Sequence, residues 1–141
     1  MNDVQLFKRN LDVFYNLDRP LLKTKIHSNF RDFISSNAIQ LFYVEILPKY
    51  LKELGCSVLK QPNGYYILLD QSQLIEISEQ TKTPINYVIN VAVCHEISHV
   101  IADAFQRFDD EDFIWQLGST MLQKASIPEY FYTKIKNYLR N

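Results

Sequence analysis

The segment His95-Glu96-Ile97-Ser98-His99 places two imidazoles four residues apart with a carboxylate directly after the first. On a helix, residues four apart share a face, so both rings would point to a common site. Two neutral imidazoles offer two positions to a divalent metal, zinc by preference. Glu96 would stand beside that metal, where it can take a proton from water. The competing reading is a pair of core histidines satisfied by their neighbours. Three ionisable side chains on an otherwise apolar stretch weigh against it, because buried polar groups without partners are costly. The chain has only three histidines, so chance placement of the pattern is rare, on the order of a few in a thousand.

A zinc ion that does chemistry usually takes a third protein ligand and keeps one position open. The acidic run Asp109-Asp110-Glu111-Asp112 supplies the candidates. Glu111 shares a helical face with Ile114, Gly118 and Leu122, the inward side. Asp110 lines up with Ile114, Leu117 and Met121 and is its rival. Glu111 has the longer reach, and Gly118 on its face would let two helices approach closely, so Glu111 is preferred to Asp110. Asp109 and Asp112 read as a solvated helix start. Asp103, one turn beyond His99, reads as surface-facing, with a role holding an imidazole by its other nitrogen as the alternative. His27 lies among Lys23, Lys25 and Ser28 and is a weaker candidate ligand. Cys94 points about a hundred degrees away from His95 on a helix and reads as a small buried hydrophobe. Trp115 reads as a core or rim residue.

These side chains need elements to hold them. Tyr87 to Phe105 is apolar on nearly every side, the mark of a buried helix, and Thr83-Pro84 gives that helix a start signal. The acids at 109–112 cap the next helix. Pro128 opens a last one, striped by Phe131, Ile135, Tyr138 and Leu139. Upstream, Cys56–Lys60, Tyr65–Asp70 and Leu74–Ser78 are short and rich in β-branched or aromatic residues. Pro62-Asn63-Gly64 and Asp70-Gln71-Ser72 make turns between them, which predicts a three-stranded antiparallel meander. Before Gly55 the pattern is helical: Val4, Phe7, Leu11 and Phe14, then Leu21 to Ile34, then a third helix capped by Asn37 that carries Leu41, Val44, Leu47, Leu51 and Leu54, with Pro48 as a kink. The expected class is α+β. It comprises a helical N-terminal third (1–55), a small antiparallel meander, then the buried motif helix and two C-terminal helices (56–141), all in one domain over 1–141.

The bulk numbers bound the function. The chain has 141 residues, 47% hydrophobic and 22% charged, with a formal charge of -1. That is an ordinary globular composition, and it argues against a surface built to grip phosphate backbones. Lys124, Lys134, Lys136 and Arg140 read as a wet helix face, not a nucleic-acid site. Two cysteines, Cys56 and Cys94, are too few for a disulfide framework. No signal-peptide core appears in residues 1–10, and polar residues break the apolar stretches before the roughly 18 that would span a bilayer. A cytoplasmic protein without a membrane partner is the expectation.

From Tyr65 to Pro128 the sequence resembles the ImmA/IrrE-type zinc metallopeptidases of bacteria, their mobile elements and phages. The matching features are the short β segments, then Val91-Ala92-Val93-Cys94 leading into His95-Glu96-Ile97-Ser98-His99. Glu111 follows, with Ile114, Leu117, Gly118, Met121 and Leu122 behind it and a turn at Ile127-Pro128. The resemblance implies a zincin-like fold with His95, His99 and Glu111 as zinc ligands and Glu96 as general base. It also implies an intracellular protein substrate such as a helix-turn-helix repressor. Ser98 stands where that family commonly has Gly, and Ile114-Trp115 where it commonly has Ala and Asn. Two functions follow as expectations: a zinc endopeptidase that cuts one regulatory protein, or a catalytically silent module of the same shape that sequesters a phage or host regulator.

Overall fold

The computed structural model describes residues 15–16, 26–44 and 56–140. In chain order these form β1 (Tyr15–Asn16), α1 (Ser28–Ser36), β2 (Ile39–Val44), β3 (Cys56–Gln61), β4 (Gly64–Asp70), α2 (Gln71–Thr81), α3 (Ile85–Asp103), α4 (Glu111–Lys124) and α5 (Glu129–Arg140). The class is α+β. The strands make one small mixed sheet in the order β1-β2-β4-β3.

β3 and β4 form the expected hairpin. They pair antiparallel from Cys56↔Leu69 to Gln61↔Gly64, so Pro62-Asn63 is a two-residue turn. The third full strand comes from elsewhere than expected. β2 pairs parallel to β4, from Ile39↔Tyr65 to Val44↔Asp70, where the pattern had suggested a helix begun by Asn37. Asn37 ends a helix instead: it is the C-cap of α1, its Nδ2 donating to the Phe33 carbonyl at 2.8 Å. Ala38 then turns the chain with φ of 53°. Ile39 and Leu41 are buried while Gln40 is exposed, the two-residue alternation of a strand. Gly64 is needed at this junction. A Cβ there would lie 2.0 Å from the Ala38 carbonyl oxygen, the same oxygen that accepts the Tyr65 N–H at 3.1 Å.

Leu74–Ser78, expected as a strand, lies inside α2. Asp70 accounts for the difference: its side chain accepts from the Gln73 N–H at 3.1 Å and so caps a helix where a hairpin turn was expected. Leu74, Ile77 and Thr81 are the buried face at helical spacing, and Ile75 is exposed. The predicted antiparallel meander is therefore a mixed sheet with β2 in place of 74–78. Expected helical residues at 4–14, 21–25 and 45–55 lie outside the described residues.

α3 is the axis of the core. Fourteen of its 19 residues are buried, in an unbroken run from Val88 to Val100 plus Ala102. It packs on β3, β4 and every other described helix. Its N-cap is Pro84, one residue later than the sequence signal suggested. Among the described residues it is the one helix long and apolar enough to cross a bilayer, despite its polar interruptions; 78% of that stretch is buried inside the protein.

Candidate metal centre

His95 and His99 project from the same side of α3, with ring centroids 5.0 Å apart and planes at 79°. Both are 4% exposed, and Glu96 between them is 2% exposed. Across from them, α4 begins with Glu111. Its Oε2 lies 3.5 Å from His95 Nε2 and its Oε1 lies 3.5 Å from His99 Nε2. Donors held tetrahedrally at about 2.0–2.1 Å from zinc are about 3.3 Å from one another. The spacing here is within a few tenths of an ångström of that. The Glu96 carboxylate joins the two imidazoles in a buried group whose ligand atoms all lie within 4.8 Å of one another. Of the two carboxylates, Glu111 has the better geometry as third donor. It faces both nitrogens equally and comes from an opposing helix, whereas Glu96 lies beside His95 on the same one.

The two imidazoles are held differently. His99 Nδ1 lies 2.6 Å from the Phe108 carbonyl oxygen. A carbonyl only accepts, so Nδ1 carries the hydrogen, and in the neutral ring Nε2 presents its lone pair to Glu111. His95 has no hydrogen-bond partner on either nitrogen, and both atoms are buried. Buried ring nitrogens that make no hydrogen bond are destabilising by themselves. A metal on Nε2 would relieve the deficit at that nitrogen, and two imidazoles with one carboxylate are a borderline donor set suited to zinc. The residues fit the ion.

Other nominated residues have different work. Asp110 is the N-cap of α4, accepting from the Phe113 N–H at 3.2 Å and from Arg107 at 2.7 and 2.9 Å. The Phe113 amide, then Arg107, hold its carboxyl below the usual range. That engagement turns Asp110 to its own helix end and leaves Glu111 facing the histidines. Asp109 and Asp112 are exposed. Asp103 holds no imidazole. It accepts from the Tyr65 hydroxyl at 2.7 Å and pairs with Lys60 at 2.6 Å, bracketing the end of α3 to the β3–β4 hairpin. Lys60, then Tyr65, lower its pKa, and the bond to Asp103 pushes the Tyr65 hydroxyl up to about 12. His27 is the N-cap of α1, its Nδ1 accepting from the Asn29 N–H at 3.1 Å, with its own N–H donated to Asn90.

Cys94 is buried, its thiol donates to the Gly118 carbonyl at 3.5 Å, and burial pushes its pKa up to about 12. Ser98 donates to the Cys94 carbonyl at 2.8 Å. A Cβ added at Gly118 would sit 3.6 Å from Ser98 Oγ and 3.9 Å from Cys94 Sγ, ordinary contacts. The α3–α4 approach thus has room for a methyl group.

Two features of the centre had no role in it assigned from the sequence, although Trp115 is buried as its core reading expects. The Phe108 carbonyl carries no side-chain signal. Trp115 did carry one: it lies one turn after Glu111, and its ring rests on His95 with centroids 4.4 Å apart. No protein-family model, curated protein or solved structure matches the chain.

Proposed function

We propose that this chain is a zinc-dependent endopeptidase, similar in kind to the ImmA/IrrE enzymes, which cuts a specific regulatory protein in the cytoplasm. The observation that carries the reading is the convergence of His95 Nε2, His99 Nε2 and both oxygens of Glu111, at 3.5 Å on each side, with the Glu96 carboxylate alongside. Zinc held by those three residues would supply Lewis acidity at a water and at a peptide carbonyl. Glu96 then has the part of general base: its carboxylate takes a proton from the attacking water and returns it to the leaving amine nitrogen.

A peptide substrate needs a place to lie extended. β4 is paired on both sides and residues 74–78 are helical, so neither offers a free edge. β3, paired only with β4 among the described residues, is the edge beside α3. An extended chain added to β3 would run along the helix that carries the histidines.

The test is co-expression with helix-turn-helix regulators encoded beside the gene, followed by mass spectrometry for new N-termini. Wild type should generate one and Glu96→Gln none, with zinc content equal in the two proteins. Equal cleavage by Glu96→Gln would rule the mechanism out. An unchanged effect on the regulator without any cut would replace the peptidase with a sequestering module.

A further inference from the structure

We propose that Trp115 is the positioning residue for His95, doing by ring packing what the Phe108 carbonyl does for His99 by a hydrogen bond. The inference rests on the metal centre proposed above and extends it to how the second imidazole is held.

Histidines that bind metals ordinarily fix their ring by donating the other N–H to an acceptor. His99 does so. His95 does not, since neither of its nitrogens has a hydrogen-bond partner. A half-turn about the Cβ–Cγ bond would exchange the places of its ring edges and carry Nε2 away from Glu111, and no hydrogen bond resists that turn. Besides the His99 ring at 5.0 Å, what touches the ring is an aromatic plate. Trp115 lies 4.4 Å from it, centroid to centroid, with the planes at 46°, a tilted arrangement near the short end of favourable aromatic distances.

The plate is itself fixed. Trp115 is 5% exposed. The Tyr132 hydroxyl donates to its carbonyl, and the Tyr132 ring meets the indole edge-on at 5.5 Å. Lys136 Nζ lies 5.8 Å from the indole centroid. Helix phase ties the plate to the donor set: Glu111 and Trp115 are four apart on α4, so one helix face brings both the third donor and the support for His95. Packing of this kind confines the ring while leaving Nε2 directed at Glu111, 3.5 Å away.

The test uses the full chain, stripped of metal. Zn2+ is titrated by calorimetry against a competing chelator, and Co2+ is titrated while visible absorption is recorded. Trp115→Leu should weaken zinc binding about 10- to 100-fold, the range found when the outer partner of a metal-binding histidine is removed. The cobalt absorption of that variant should also change shape. Trp115→Phe, which keeps a flat ring, should stay within about threefold of wild type and keep the cobalt spectrum. Trp115 is the single tryptophan, so its emission in wild type should change and saturate at one equivalent of zinc.

A folded Trp115→Leu protein that binds zinc as tightly as wild type overturns the role of Trp115 and leaves the metal centre standing. Absence of zinc binding by wild type overturns both. Should Trp115→Leu fail to fold, wild-type emission decides: an unchanged signal through one equivalent overturns the proposal, and a saturating change supports it. Cleavage is not read, so a silent enzyme would not affect the outcome.

Discussion

His99 hands its Nδ1 hydrogen to the Phe108 carbonyl oxygen 2.6 Å away, across the loop that joins α3 to α4. One backbone oxygen thereby sets which nitrogen of His99 faces Glu111, and it ties that choice to the shape of the loop. Lys60 reaches over from β3, its Nζ 4.4 Å from the centroid of the Phe108 ring and 2.6 Å from Asp103. Loop, hairpin and imidazole form one connected set.

Lys60→Met should therefore weaken zinc binding without touching a ligand. A cation over an aromatic ring at an exposed site contributes about 0.5–1 kcal/mol, so the loss should be about two- to fivefold. Competition titration on wild type and variant checks this. An unchanged affinity would show that the loop holds Phe108 without help from β3.

Zinc itself should stabilise the fold. At a free concentration a hundred times its Kd it contributes at most about 2.7 kcal/mol, which for a chain of this size raises Tm by roughly 8 °C. A chelator should remove that gain, and His99→Ala or Glu111→Gln should abolish most of it. Thermal melts with and without zinc give the answer; identical melts for wild type and Glu111→Gln would remove Glu111 from the donor set.

The two helix-and-strand glycines should respond oppositely to alanine. At Gly64 the new methyl meets the Ala38 carbonyl oxygen at 2.0 Å, and the backbone must move, for a loss of about 3 kcal/mol or more. At Gly118 the contacts are 3.6 and 3.9 Å, and the better helix propensity of Ala should add up to about 1 kcal/mol. Urea denaturation of the two variants separates them; a destabilised Gly118→Ala would mean that α3 and α4 are closer than the contacts at Ser98 and Cys94 indicate.

Alkaline pH should act through Tyr65. Its hydroxyl is held protonated by Asp103, with a pKa raised from 10.0 to about 12. The stability this confers is complete below pH 10, where the unfolded chain also keeps the proton. It declines as pH rises toward 12, because the unfolded chain then ionises first. Tyr65→Phe should show a shallower decline over that window, measured as the difference between two urea-melt series. Parallel curves for the two proteins would contradict the assignment.

How much of this could be read from the residues alone differs by element. α3 was legible because a helix apolar on nearly every side reads as buried, while the His95–His99 spacing and the inward phase of Glu111 both follow from helical spacing. The β3–β4 hairpin was legible from Pro62-Asn63-Gly64. The third strand was not. Asn37 and Asp70 are each good starts or stops, and only their partners, the Phe33 carbonyl and the Gln73 N–H, decide between a helix ending and a helix beginning. Parallel pairing of β2 with β4 is non-local and leaves no local mark. The partner of His99 is a backbone atom, invisible to any reading of side chains.

The three candidate donors sit within a short span: His95 and Glu111 are sixteen residues apart, with His99 between them. Closing so short a loop carries a modest entropic penalty. An unfolded chain can therefore gather the same imidazoles and carboxylate around an ion, and any such capture subtracts from the stability that native binding confers. The zinc-dependent rise in Tm should fall short of what the native affinity implies, and the heat-denatured chain should leave the melt still carrying part of its metal.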